Sequence, residues 1–216
     1  MRKTKNRFEH CSILIFNNVQ NKSTTMARRK DHTREELTRL AIDAGRQLVI
    51  EKGPPALTAR NVAKAIGYTP GTLYNLFDNI DDLAAAINIG SMEDFAAKLE
   101  DIAAESSDAE CHLRKISQAY LEFHHDSPHL WSLLFAVPVD YHSEDYHQAI
   151  HRIFDQVVEA VRPLSANADI ARRKAKVLWS ALHGICLLQQ SGKLNVSEDD
   201  PAEELVATFL EQFLKP

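Results

Sequence analysis

The chain has 216 residues, is 44% hydrophobic and 25% charged, and carries a formal net charge of −5. This is the composition of an ordinary soluble chain, long enough to bury a core without staples, and it holds no run of about 18 apolar residues, so no membrane span is expected. Its three cysteines, Cys11, Cys111 and Cys186, are far apart and form no C-x-x-C pair, which excludes a disulfide framework or thiolate metal site and fits a reducing, cytoplasmic compartment.

The charge is unevenly spread. Residues 1–79 carry 14 Lys/Arg against 7 Asp/Glu, and the rest carry 11 against 23. A basic third on an acidic body is the asymmetry expected where one end meets phosphate. Arg2, Lys3, Lys5 and Arg7 precede the short apolar run Ile13–Phe16, but asparagines and Lys22 follow in place of a cleavage site, so no signal peptide is read. Residues 1–30 are expected to be a disordered basic leader. Met26 opens a cleaner start, M-A-R-R-K-D, and residues 1–25 could stem from a start assigned too far upstream.

The rest reads as helices, about nine in all, with glycine and proline at their ends. The first runs from Thr33 to Lys52 with a stripe of Leu37, Leu40, Ala41, Ala44 and Leu48, and Gly53-Pro54-Pro55 stops it. Thr58 caps a short helix to Ile66, Gly67 breaks it, and a second short helix spans Pro70–Phe77. Asn79 or Asp81 caps a helix to Ala104 with Leu83, Ile87, Phe95, Leu99 and Ile102 inward. After the break Ser106-Ser107-Asp108 come a helix with Leu113, Ile116, Tyr120 and Phe123, and a short one from Ser127-Pro128 to Phe135. Helix 144–162 carries Ile150, Ile153, Phe154 and Val157; helix 169–190 carries Leu178, Ala181, Leu182 and Ile185. Asp199-Asp200-Pro201 opens the last, with Leu205, Val206, Phe209, Leu210 and Phe213.

Residues 58–77, T-A-R-N-V-A-K-A-I-G-Y-T-P-G-T-L-Y-N-L-F, carry the pattern of a helix-turn-helix. Ala63 is small where two helices must approach, Gly67 suits a positive-φ turn, and Leu73 closes the small core with Val62 and Ile66. The outward set is then Tyr68, Thr69, Gly71, Thr72, Tyr74 and Asn75, with Arg60 and Lys64 adding charge. Thr58 and Thr72 offer hydroxyls to phosphate oxygens, Gly71 permits close backbone approach, and Tyr74 can pack on the sugar-phosphate backbone. Thr69 and Asn75 are the candidates for base edges. The plain alternative is a two-helix turn with surface aromatics.

Residues 33–91 resemble the DNA-binding domain of the tetracycline-repressor (TetR) family. The shared features are the first helix with Ala44 and Glu51-Lys52-Gly53, the run from Leu57 to Phe77, and Asp81-Asp82-Leu83. The resemblance implies an all-α homodimer with a three-helix DNA-binding head at 31–91 and a ligand-binding and dimerisation body at 92–216. It implies a repressor released from a near-palindromic operator by a small-molecule effector, with no enzymatic activity and no cofactor. One departure is Ile80, where the family usually places a lysine that reaches phosphate; Arg28, Arg29 and Lys30 could supply that contact instead. Trp179-x-x-x-His183-Gly184 resembles the W-x-x-x-H-G signature of one subgroup.

In the body, an apolar or aromatic ligand site is expected from Phe95, Tyr120, Phe123, Trp131, Phe135, Phe154 and Trp179, with His124 and His183 as polar tips. The simpler reading of each ring is core. The last two helices are expected to pair with their copies through Leu178, Leu182, Ile185, Leu205, Phe209 and Phe213. Histidine is abundant, ten in all, with His112, His124, His125, His129, His142, His147 and His151 in one stretch. His147 and His151 have a chelating spacing, and Glu122–His125 and Glu144–His147 are E-x-x-H runs like those of di-metal helical oxidoreductases. A metal-responsive regulator or such an oxidoreductase is therefore the competing class, although Pro128 and Pro138 separate the runs.

Overall fold

The computed structural model describes residues 32–138, 143–196 and 198–215. Expectations placed on the leader, Cys11, Arg28, Arg29, Lys30 and His142 lie outside these residues. Contacts divide the chain at His32, and everything from Thr33 onward belongs to one unit.

Helix α1, Arg34–Lys52, begins at a capping box: the Thr33 hydroxyl accepts from the Glu36 N–H at 3.2 Å and the Glu36 carboxylate accepts from the Thr33 N–H at 2.9 Å. It ends at Gly53 with φ +80°, ahead of a 3₁₀ turn at Pro54–Ala56. Its buried residues are Leu37, Ala41, Gly45 and Val49. This corrects the expected stripe, because Leu40 is exposed and Ala44 and Leu48 are only half-buried. The cause is Gly45: a Cβ there would lie 3.0 Å from Ile87 Cδ1 and 3.1 Å from Leu57 Cδ1. Contact between helices centres on a residue that carries no apolar side chain.

Helices α2 (Ala59–Ile66) and α3 (Pro70–Tyr74) follow. Helix α3 stops before Phe77, although the Leu76 and Phe77 N–H groups still donate to Leu73 O. Helix α4, Ile80–Glu105, starts on Asn79, whose side chain accepts from the Asp81 and Asp82 N–H groups. Helix α5 is Ala109–Asp126, α6 Pro128–Ala136, α7 Glu144–Val161, α8 Ala168–Gln190 and α9 Ala202–Phe213. Asp108, Ser143 and Asn167 cap α5, α7 and α8 through side-chain oxygens. The described residues contain nine α-helices and no strand, so the chain is all-α. None of these helices is long and apolar enough to cross a membrane.

Two cores share this frame. One gathers Ala41, Val49, Val62, Leu73, Leu83 and Ile87 from α1–α4, and reaches Leu130 and Leu133 of α6. The other gathers Leu99, Leu113, Leu178, Leu182 and Leu210, and includes Trp131. Helix α4 runs unbroken through residue 91 and serves both. Helix α6 does so within one turn: Leu130 faces the first core and Trp131 the second. Ile150, expected inward on α7, is exposed.

Candidate nucleic-acid interface and aromatic cluster

The turn between α2 and α3 is built by hydrogen bonds that the residue types select. The Thr58 hydroxyl caps α2 by accepting from the Asn61 N–H at 3.2 Å. At the far end the Tyr68 N–H donates to Ala63 O at 2.8 Å and the Gly67 N–H to Lys64 O at 3.4 Å. Gly67 has φ +79°, ψ +26°. This is a Schellman closure, and its left-handed residue favours glycine. Val62, Ala63 and Leu73 are buried beneath the turn.

The opposite face is open. Tyr74 is 59% exposed, and Thr58, Arg60, Lys64, Thr69, Gly71 and Asn75 are exposed around it. The Thr69 and Thr72 hydroxyls lie 3.2 Å apart, and the site for a Cβ on Gly71 is open apart from Thr69 Oγ1 at 3.8 Å. Two expected members sit differently from the rest. Tyr68 precedes α3 and is half-buried, and Asn75 lies just past its end. Ile80, which stands where a lysine is usual, packs at the junction of α3 and α4 beside Leu73, Tyr74, Phe77 and Leu83. Residues 33–79 hold six Lys/Arg and five Asp/Glu, so the positive excess of the N-terminal third resides in residues 1–32.

The aromatics expected to line a ligand site are brought together as one contact network. Phe95 meets Tyr120 edge-on at 6.2 Å and Phe123 at 5.7 Å. Trp131 meets His124 edge-on, Phe135 and His183, all at 4.9 Å. His183 also contacts Phe135 at 4.0 Å and stacks on Trp179 at 5.8 Å. Trp131 is 1% exposed, whereas Phe135 and Trp179, at 46% and 45%, bring the cluster to the surface. Phe154 stands apart under the Arg172 guanidinium, 5.0 Å away.

Polar atoms converge inside this apolar shell. The Tyr120 hydroxyl lies 3.3 Å from His183 Nδ1, and the indole N–H groups of Trp131 and Trp179 also approach it. Trp131 Nε1, His124 Nε2 and Ser117 Oγ are all buried without a hydrogen-bond partner. Burial pushes the Tyr120 hydroxyl far above its usual range and the Cys186 thiol up to about 11. Burial first, then a neighbouring histidine, holds His124 and His183 below the ordinary imidazole range. Ser117 had no place in the sequence reading. Its position one helical turn before Tyr120 and two before His124 was the available signal.

Helix α6 ties this cluster to the head. His129 Nδ1 lies 3.0 Å from Ile50 O in the last turn of α1. The Asn88 side-chain amide of α4 donates to Leu133 O at 3.0 Å.

The residues expected to pair with a second copy divide by burial. Leu178 and Leu182 are 0% and 2% exposed within a single copy of the chain, so they cannot also face a second one. Ile185, Phe209 and Phe213 are half-buried against the same core, and Leu205 is half-buried. The outward face of α8 is instead Val177, Ala181, Gly184 and Leu188, and a Cβ on Gly184 would meet nothing within 4 Å.

The E-x-x-H runs do not converge. Glu122 pairs with Lys98 at 2.7 Å and His125 with Asp126 at 2.9 Å, both on the surface. Glu144 accepts from Gln148 at 3.3 Å. Among the described residues no three His, Cys, Asp or Glu side chains gather as a metal site would require. Cys111 and Cys186 are free thiols.

Comparison with known proteins bears on both halves. Residues 41–87 match the family described as bacterial regulatory proteins, tetR family, and residues 113–213 match the tetracyclin repressor-like C-terminal domain. Together the matches cover more than half of the chain. An uncharacterized HTH-type transcriptional regulator of Mycobacterium tuberculosis is 25% identical over 166 residues, 76% of each chain. A Rhodococcus sp. RHA1 protein of unknown function superposes with a TM-score of 0.70 at 21% identity, covering 87% of this chain and 97% of that one. FadR of Bacillus subtilis, solved with stearoyl-CoA, superposes with a TM-score of 0.63 at 14% identity, covering 82% and 97%.

Proposed function

From its membership of the TetR family of DNA-binding transcription regulators, to which this chain belongs, we propose that it is a repressor that leaves its operator when a small apolar or aromatic effector enters the body. The observation that carries the reading is the helix-turn-helix whose inner residues are buried while Tyr74, Thr72, Thr69 and Asn75 surround an open face. Thr58, Arg60, Lys64, Thr72 and Tyr74 hold phosphates, Gly71 admits the backbone, Thr69 and Asn75 reach base edges, and Tyr68 braces the entry to α3. Head and body correspond to 31–91 and 92–216, with α4 common to both. The protein acts on chromosomal DNA in the cytoplasm and performs no catalytic step.

Two heads are needed for a near-palindromic operator, about 34–36 Å apart on one face of the duplex. The outer stripe of α8, Val177, Ala181, Gly184 and Leu188, supports a twofold pairing because it is apolar, small at its centre and unfilled within one copy. The Gly184→Arg change has room in the single chain, so it is expected to leave folding intact and to sediment as a monomer. An unchanged dimer would place the interface elsewhere.

Effector entry is read out through α6 and α4. Trp131 belongs to the aromatic cluster, and two residues earlier His129 engages α1. A ligand shifts the equilibrium only by its differential affinity for the two head spacings. The test is fluorescence-anisotropy titration against DNA from upstream of the gene, at several salt concentrations. Specific binding should fall steeply with salt, and Thr72→Ala with Tyr74→Ala should weaken it roughly a hundredfold. Equal, weak binding to every fragment, indifferent to these changes, would sink the reading.

A further inference from the structure

His183 occupies a place made for a flat ring. Its imidazole stacks on the buried indole of Trp131 at 4.9 Å and 28°, and on the half-exposed indole of Trp179 at 5.8 Å and 13°. Phe135 closes on the same ring at 4.0 Å. Stacking of this kind is available to any planar π-system, and the half-exposed Trp179 and Phe135 leave an edge of the stack open to solvent.

Polar atoms of the helices that build this cluster are under-used. Trp131 Nε1, His124 Nε2 and Ser117 Oγ are buried without partners, and buried donors left unmade cost free energy that a ligand can recover. The Tyr120 hydroxyl is engaged with His183 Nδ1, so moving the imidazole away frees a further donor. Indole N–H and phenol O–H groups call for an oxygen acceptor. Among the described residues the cation–π pairs, Arg172 with Phe154 and Lys174 with Phe213, lie on other rings, and burial favours the neutral forms of His124 and His183. An anionic ligand would be desolvated there without compensation.

We propose that His183 holds the place of an uncharged planar aromatic effector bearing a carbonyl-type oxygen, which binds by replacing the imidazole against Trp131 and Trp179. The inference rests on the effector reading above and adds its chemical class and the residue it displaces. It gives the W-x-x-x-H-G run a physical meaning: one helical turn places Trp179 and His183 on one face, so that the wall and the removable ring come from the same helix.

Isothermal titration calorimetry on the full-length protein tests it, with acetophenone as the probe. Benzoate keeps the ring but adds a charge, and cyclohexyl methyl ketone keeps the carbonyl but loses the flat ring. Acetophenone is expected to bind and both comparators to bind at least tenfold more weakly. His183→Ala removes the competing ring and should tighten acetophenone binding on the order of tenfold, because a larger fraction of the protein is then competent to bind. Trp179→Leu, at a half-exposed position, should weaken it to a similar degree while the thermal melt stays in place. Equal binding of cyclohexyl methyl ketone, or unchanged or weaker binding to folded His183→Ala, overturns the proposal. Should His183→Ala fail to fold, the comparator series and Trp179→Leu still decide. The titration contains no DNA, so a failure of operator binding overturns the regulator reading and leaves these constants standing.

Discussion

Residues 33–79 and the helices that follow them differ in how their polar side chains are met. In residues 33–79 Thr33 pairs with Glu36, the Thr58 hydroxyl accepts from the Asn61 N–H, and the Asn61 amide donates to Ala56 O at 2.9 Å. The buried side-chain atoms without partners among the described residues are Asn88 Oδ1, Ser117 Oγ, His124 Nε2, Trp131 Nε1 and Gln156 Oε1, all on α4–α7. Where local rules agree with the fold, a segment is built to keep its shape; where they conflict, binding or switching is the usual reason. The body keeps unmet hydrogen-bonding capacity next to a surface-reaching aromatic stack, as the proposed effector site requires.

The largest effect that separates the two is a pair of aromatic truncations. Trp131→Ala removes a side chain that is 1% exposed and is expected to cost about 3–5 kcal/mol in urea unfolding. Tyr74→Ala, on the open face of the head, should change stability by no more than about 0.5 kcal/mol while weakening specific DNA binding. A cost below about 1 kcal/mol for Trp131→Ala would mean that its ring is not core and that the cluster is looser than its contacts suggest.

The same contrast decided what the sequence could reveal. The helix-turn-helix was legible because its signals are local: a hydroxyl cap at Thr58, a positive-φ glycine at Gly67 and apolar closure at Leu73 each act within a few residues. Helix number and the caps at Thr58 and Asn79 were legible for the same reason. The stripe of α1 was misplaced because close packing at Gly45 leaves no apolar side chain to mark it. Leu178 and Leu182 were expected outward although the chain itself buries them, because α8 is apolar on two sides, Leu178 and Leu182 on one, Val177, Ala181 and Leu188 on the other. Periodicity does not say which side the chain itself covers. The aromatic cluster was named residue by residue, but the stacking of His183 on two indoles joins α6 to α8, and no spacing within either helix encodes it.

A smaller effect, of opposite sign to most core changes, sharpens the comparison. Ser117 is fully buried with its hydroxyl unpaired. Ser117→Ala deletes that hydroxyl at almost constant volume, so it should stabilise the free protein by about 1 kcal/mol, measured from urea midpoints. The equivalent deletion in the head, Thr58→Ala, removes a working cap and should cost about 1 kcal/mol. If Ser117→Ala destabilised to the same degree, its hydroxyl would be bonded in solution and the body would be no more frustrated than the head.

The smallest expected effect is in pH. His124 is buried, and burial, reinforced by His125, holds its folded value below the ordinary 6.5; His183 follows the same pattern for the same first cause. Above 6.5 both residues are neutral whether the chain is folded or unfolded, and their contribution to stability is complete. Below it the unfolded chain takes up protons that the folded chain refuses, so stability drains away as pH falls toward the depressed folded values. His125 works in the other direction: its hydrogen bond to Asp126 raises its value, so what it contributes is present at low pH and fades as pH rises. It is fully solvated and paired on the surface, where such pairs contribute little, so the buried histidines should set the sign. Urea midpoints should therefore drop between pH 7.5 and pH 5.5. His124→Phe should flatten that slope, whereas His125→Ala should leave it nearly unchanged. A slope that survives His124→Phe intact would mean that the imidazole already meets water. The polar atoms of the body would then be no more withdrawn from solvent than the outer face of the head.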